Sequence, residues 1–398
     1  MTPPVAAPTG GPDLHRPSRP RDAGAGEGSP ARPAPVRHLY VHLPFCRARC
    51  GYCAFVVETG ALHRRDAYLE ALGAELGHEE HRLGVLDTVY LGGGTPTLMR
   101  PRRIARLLDG VAHRCAPDAE ITIEANPETV DGRQLADLRA AGVTRLSLGA
   151  QSFQPALLRA LDRGATPEQV RAAVRCARRA GFASLSMDLL FGVPGQTRAQ
   201  LEADIAELEA LGVDHVSWYE LEIKPDTALA RMGAEVPDED WSADAYERVV
   251  AALEQAGYRW YETANFARPG HECRHSLAYW GAADYLGVGV GAVSTVGGRR
   301  WRNAPGVAQY VAALAAGDPP ARGVEELDPD TRRRERWMLG LRLAEGLDMA
   351  WAGPADRPEA LERLIAGGLA RRDGDHLTLS RRGRMLQNAI LGEVMEYA

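Results

Sequence analysis

Three of the six cysteines, Cys46, Cys50 and Cys53, fall within the single stretch "LYVHLPFCRARCGYCAF". Clustered thiols in a reducing compartment point to metal ligation more than to disulfides. A structural zinc site needs four protein ligands, usually as two separated pairs, and no second pair stands nearby. Three thiolates spaced C-x3-C-x2-C on one loop instead match three corners of a 4Fe-4S cube, which leaves one iron open to a further ligand. Arg47 and Arg49 stand where they can offset the charge of such a cluster, and Tyr52 where it can pack over it. His42 alternates with the apolar residues of its strand and reads as a barrel-facing polar residue rather than a ligand. Cys115, Cys176 and Cys273 are scattered singly, as inert thiols are.

Other chemistry-bearing residues stand at the ends of apolar runs. "YLGGGTPT" carries Gly92, Gly93, Gly94 and Thr95, where glycines let backbone approach a ligand and offer N–H and C=O groups to an amine. Glu124 ends "EITIEANP", Gln151 follows "RLSLGA", and Asp188 lies in "SLSMDLLFG". Tyr219 and Glu220 close "HVSWYELEI".

These ends need elements to position them. Six short apolar runs from Leu39 to Ile223 alternate with five stretches of helical periodicity, as in Leu201, Ile205, Leu208 and Leu211. That alternation predicts an α/β fold with a parallel sheet, either a barrel or an open doubly wound sheet. In the barrel form, the C-terminal strand ends converge on one cavity with the cysteines at its mouth. Residues 1–36, rich in Pro, Gly and Ala, are expected to form a disordered tail. The barrel is expected over 37–235, an extension over 236–325, and a small α+β unit over 326–398, where "LARRDGDHLTLS" reads as a hairpin with an Asp-Gly turn.

Lys+Arg 47 against Asp+Glu 53 gives a net charge of −6, which offers a nucleic-acid partner no basic excess. The run "RRRERW" in the last unit reads as a solvated helix face. No apolar stretch is long enough to span a membrane and no signal peptide opens the chain, so a cytoplasmic location is expected.

"CRARCGYC" after one strand and "GGGTP" after the next resemble the radical S-adenosylmethionine (SAM) superfamily. "IEANPE", "GAQSF", "MDLLFGVPGQT", "YETANFARPGHECRH" and "YLGVGVGAVS" narrow the resemblance to the oxygen-independent coproporphyrinogen oxidase-like family, over about residues 38–395. The resemblance implies a partial (β/α)6 radical SAM barrel with a C-terminal extension and a winged-helix-like α+β module. It implies a 4Fe-4S cluster on Cys46, Cys50 and Cys53, with SAM on the open iron, and a one-electron reductant protein. It further implies SAM contacts at Tyr40, Gly93, Gly94, Thr95, Glu124, Gln151, Arg163 and Asp188, some for a second SAM in certain members.

Dehydrogenases of this family carry a fourth cysteine two residues after the third, where this chain has Phe55. The form seen here is more similar to the HemW-type heme chaperones, which bind heme and pass it to acceptor proteins. Their "HN…YW" element is matched by His275, Tyr279 and Trp280, with Ser276 replacing the asparagine. His275 or Cys273 is then the candidate axial ligand. Other departures are Gly164-Ala165 after Arg163, Val293 in "GAVS", and the loop "CAFVVETG". They keep open an alternative of another class, a SAM-dependent C-methyltransferase or cyclopropanase. Such an enzyme would use Gln151, Arg163 and Asp188 for a second SAM, with "GVGVGAV" as an apolar floor.

Overall fold

The computed structural model describes residues 34–396, so the segment expected to be disordered lies, up to residue 33, outside the described residues. The first strand begins at Val36, whose side chain is already buried. Six strands run parallel in sequence order: β1 (Val36–Leu43), β2 (Leu83–Gly93), β3 (Cys115–Ala125), β4 (Arg145–Gln151), β5 (Ser184–Phe191) and β6 (His215–Glu220). The five longer intervening helices are α1 (Arg65–Glu79), α2 (Pro101–Ala112), α3 (Gly132–Ala140), α4 (Pro167–Ala180) and α5 (Arg198–Leu211), with a short helix, Pro155–Ala160, ahead of α4. Helices α4 and α5 each open on a reciprocal capping box, Thr166 with Gln169 and Thr197 with Gln200, which satisfies free N-terminal N–H groups.

Three further strands extend the sheet beyond the six expected. β8 (Asn265–Ala267) adds antiparallel to β6 and β7 (Arg259–Trp260) antiparallel to β8, while β9 (Leu286–Val288) pairs parallel with β1 on the far edge. The "GVGVGAV" run forms this edge strand and the turn that follows it. Gly287 donates its N–H to Ser294 Oγ, and a Cβ there would stand 2.1 Å from the Val293 carbonyl oxygen.

Strand alternation divides the sheet's two faces. Leu39, Val41, Leu43, Val89, Leu91 and Ile123 belong to the main hydrophobic core. The opposite face carries Tyr40, Tyr90, Glu124, Ser147, Asp188 and Ser217, joined by ring stacking, hydrogen bonds and register. Polar side chains therefore line one face at the strand ends, where a ligand would meet them.

Residues from Trp337 to Met395 gather a second hydrophobic cluster. It packs the helices Pro329–Gly340, Pro358–Ala366 and Gln387–Val394 with a three-stranded sheet. The hairpin expected there is Ala370–Asp373 with His376–Leu379. Within "RRRERW", Arg333 and Arg334 form ion pairs with Asp330 and Asp356, and Arg336 lies over the Trp351 ring.

Candidate functional site

The cysteine loop leaves β1 through Pro44 and is closed at its base, where Phe45–Cys46 pairs with Glu58–Thr59. Inside it Cys53 donates its N–H to the Cys50 carbonyl at 3.1 Å. Gly51 fastens the loop to the body by donating to the Leu161 carbonyl at 3.0 Å and accepting from Leu229 N–H at 2.9 Å. All three thiols are free and half-buried, and burial pushes the Cys46 and Cys53 thiols up. Arg49 does not face them. It fans onto the carbonyls of Cys53, Phe55 and Val57 as a brace of the loop, while Arg47 is exposed. Tyr52 packs beside the small apolar cluster of Leu157, Leu161, Leu190 and Leu229.

The side chain that meets a sulfur from afar is Arg163, whose Nη1 lies 3.5 Å from Cys50 Sγ. Its Nη2 donates to Asn126 Oδ1 at 2.9 Å and also to the Gly149 carbonyl. On the other side Thr95 Oγ1 stands 3.5 Å from Cys46 Sγ. Thr95 is placed by the glycine turn, where Gly94 donates to the Leu43 carbonyl and Thr95 to the Phe45 carbonyl, both at 2.9 Å. A Cβ on Gly94 would come within 2.6 Å of the Pro44 backbone, so only glycine fits. Gly93 N–H donates to Glu124 Oε2 at 3.0 Å. All three of these N–H groups are thus engaged by the protein.

Glu124 also accepts from Tyr90 Oη at 2.8 Å. Burial pushes its carboxyl up to about 7 against those two bonds, with Asp188 adding to the rise. Asp188 is likewise raised by burial, opposed by Ser217 and Ser147, the latter 3.2 Å away. Gln151 adopts φ 66°, at a bulge where β4 slips register against β5. Non-glycine residues rarely adopt that conformation, and such strain gathers at functional sites. Tyr40 stacks on Tyr90 and reaches His42 Nδ1 at 3.1 Å. His42 Nε2 is in turn 2.8 Å from the Val56 carbonyl, which agrees with a packed barrel-facing role.

His275, the candidate heme ligand, joins this group through its ring, whose centroid lies 5.2 Å from that of Tyr90 and 6.5 Å from that of Tyr40. It begins the helix Arg274–Trp280, whose first N–H groups, from Arg274 and His275, are accepted by Glu120. Its Nδ1 lies 2.7 Å from Thr88 Oγ1, which also meets His38 Nδ1 at 3.0 Å. Thr88 precedes Gly93 by five residues along β2, roughly 16 Å of extended strand. Burial lowers His275 to about 3, so the imidazole is neutral. Cys273 is buried, with its thiol pushed up to about 11 and directed at Glu120.

Among the described residues no three His, Cys, Asp or Glu side chains converge as ligands of a single ion. A cube takes each thiolate on a separate iron, and this donor set, with hydrogen-bond partners on two sulfurs, fits that requirement. Among the described residues, Arg163 Nε beside the cysteines is buried and has no hydrogen-bond partner, as a donor that faces a ligand would be. Sequence reasoning passed over Asn126 and Tyr90. The signals were Asn126's place in "IEANPE" and Tyr90's strand parity with Gly92.

The family model of the radical SAM superfamily matches residues 40–208, and that of the HemN C-terminal domain residues 327–386. The heme chaperone HemW of Mycobacterium tuberculosis is 42% identical over 364 residues, covering 89% of this chain and 93% of that protein. HemW of Bacillus subtilis is 32% identical over 373 residues, covering 90% and 98%. HemW of Escherichia coli is 33% identical over 386 residues, covering 90% and 97%. Among solved structures, coproporphyrinogen III oxidase HemN from Escherichia coli, described as a radical SAM enzyme, superposes with a TM-score of 0.80 at 27% identity over 92% of each chain.

Proposed function

The chain belongs to the heme chaperone HemW family within the radical SAM superfamily, and on that premise we propose that it binds heme and delivers it to acceptor proteins. Cys46, Cys50 and Cys53 would hold a 4Fe-4S cluster with SAM on the open iron. When bound, that pair supplies one-electron cleavage of the SAM C–S bond.

The observation that carries the reading is the cysteine loop itself. Its thiols meet Arg163 and Thr95, on a chain 42% identical to a protein named as a heme chaperone. The chain's own residues then have definable tasks. Arg163, with its spare Nε, receives an acceptor such as a carboxylate. Glu124 accepts from ribose hydroxyls or an amine. Gln151 and Asp188 extend the contact across the strand ends. His275 presents Nε2 to heme iron, because its Nδ1 is held by Thr88. Phe55, which is 67% exposed where related dehydrogenases carry a fourth cysteine, argues against coproporphyrinogen dehydrogenase activity.

Heme titration of the anaerobically reconstituted protein, followed by visible absorption, tests this. The dithionite-reduced protein is assayed in parallel for 5'-deoxyadenosine and S-adenosylhomocysteine. A stoichiometric heme spectrum that changes in His275→Ala, without S-adenosylhomocysteine, supports the chaperone. No heme binding, with S-adenosylhomocysteine formed, overturns it in favour of methyl transfer.

A further inference from the structure

The thiols of Cys46 and Cys50 are joined by an unbroken run of polar side chains whose middle member touches neither sulfur. From one end, Thr95 Oγ1 lies 3.5 Å from Cys46 Sγ, and Asn126 Nδ2 donates to Thr95 Oγ1 at 3.0 Å. From the other, Arg163 Nη1 donates to Cys50 Sγ at 3.5 Å and Nη2 to Asn126 Oδ1 at 2.9 Å. Thr95 follows β2, Asn126 follows β3, and Arg163 lies beyond β4.

The direction of every bond in the run follows from chemistry. A guanidinium only donates, so the face of Asn126 turned to Arg163 must be its oxygen. The amide nitrogen is then turned to Thr95, whose oxygen accepts. That acceptance leaves the Thr95 hydroxyl proton to point at Cys46. The cation at one end therefore orients the hydroxyl at the other, through one amide. Gly149 gives the run its room, since a Cβ there would stand 3.3 Å from Asn126 Oδ1 and 3.4 Å from Arg163 Nη2.

We propose that Asn126 is a positioning residue that sets hydrogen-bond donors on Cys46 and Cys50 together, and so raises the reduction potential of the cluster those cysteines hold. The inference rests on the cluster reading above. Reduction adds one negative charge to the cluster and its thiolates, and donors to the sulfurs stabilise the more negative state. Asn126→Ala releases both donors at once, whereas Thr95→Val removes only the one on Cys46.

The experiment is an EPR-monitored redox titration of full-length wild type, N126A, T95V and N126A/T95V, each reconstituted anaerobically and assayed for iron, without SAM. N126A at full iron occupancy is expected to lower the one-electron reduction equilibrium about tenfold, or about 59 mV. T95V shifts it by less in the same direction, and adds little to N126A because the hydroxyl is already released. An unchanged potential in N126A at full occupancy overturns the inference alone, as does a T95V effect that adds in full. If N126A cannot hold the cluster, T95V decides: its lowered potential supports the inference and an unchanged one overturns it. Failure of the wild type to assemble a cluster overturns the cluster reading and the inference with it.

Discussion

Arg163 and Cys50, 113 residues apart in sequence, meet with Nη1 3.5 Å from Sγ. The arginine joins the cysteine loop both to the end of β3, through Asn126, and to β4, through the Gly149 carbonyl. A charge-assisted hydrogen bond contributes about 1.5–3 kcal/mol. Arg163→Ala is therefore expected to weaken SAM binding to the reconstituted protein by about ten- to a hundredfold. Isothermal titration measures this, and a wild-type dissociation constant in the variant would contradict it. Lysine cannot reach sulfur, amide and carbonyl at once, so Arg163→Lys should rescue little.

Glu124 makes the protein without cofactors less stable as pH rises. Its carboxyl holds its proton in the fold until about 7 but loses it near the ordinary value of 4.5 when unfolded. The folded state thus binds more protons between those values, and stability falls across that window. Glu124→Gln, whose amide still meets Tyr90 and Gly93, should gain about 1–2 kcal/mol over wild type at pH 8 and nothing at pH 4.5. Urea unfolding at the two pH values checks this; an equal effect at both would refute the assignment.

His275 acts with the opposite sign. The unfolded imidazole gains a proton near 6.5 while the folded one stays neutral to about 3, so stability is lost as pH falls through that range. His275→Gln should flatten this acid limb by about 2 kcal/mol between pH 6.5 and 4. Parallel wild-type and variant curves would show that the ring is not held neutral.

Gln151 trades stability for placement. Its positive φ costs about 1–3 kcal/mol, part of which glycine would relieve. Gln151→Gly should unfold about 1 kcal/mol later than wild type yet bind SAM at least several-fold more weakly. A stabilised variant with unaltered SAM affinity would separate the strain from the ligand.

Local pattern made much of this legible. Period-two and period-3.6 alternation located the six strands and five helices, because each element buries one face against the same core. The cysteine triplet and the hairpin Ala370–Leu379 were readable for the same reason, since their meaning lies in a few adjacent residues. What escaped depends on contacts distant in sequence. Leu286–Val288 reads only as part of a Gly-rich apolar run until β1 offers it a parallel partner. Nothing in the local sequence around His275 shows that Thr88, 187 positions away, meets its Nδ1, or that its ring packs against Tyr90. Asn126 is an ordinary strand-end amide until Thr95 and Arg163 are placed on either side of it.

The most direct test of the cysteine site is low-temperature EPR of the anaerobically reconstituted, dithionite-reduced protein with and without SAM, beside an iron and sulfide count. The account predicts four irons per chain, a signal of a reduced 4Fe-4S cluster whose g-values change when SAM is added, and loss of both in Cys46→Ala, Cys50→Ala and Cys53→Ala. A cluster that assembles without these cysteines, or a spectrum indifferent to SAM, would contradict it.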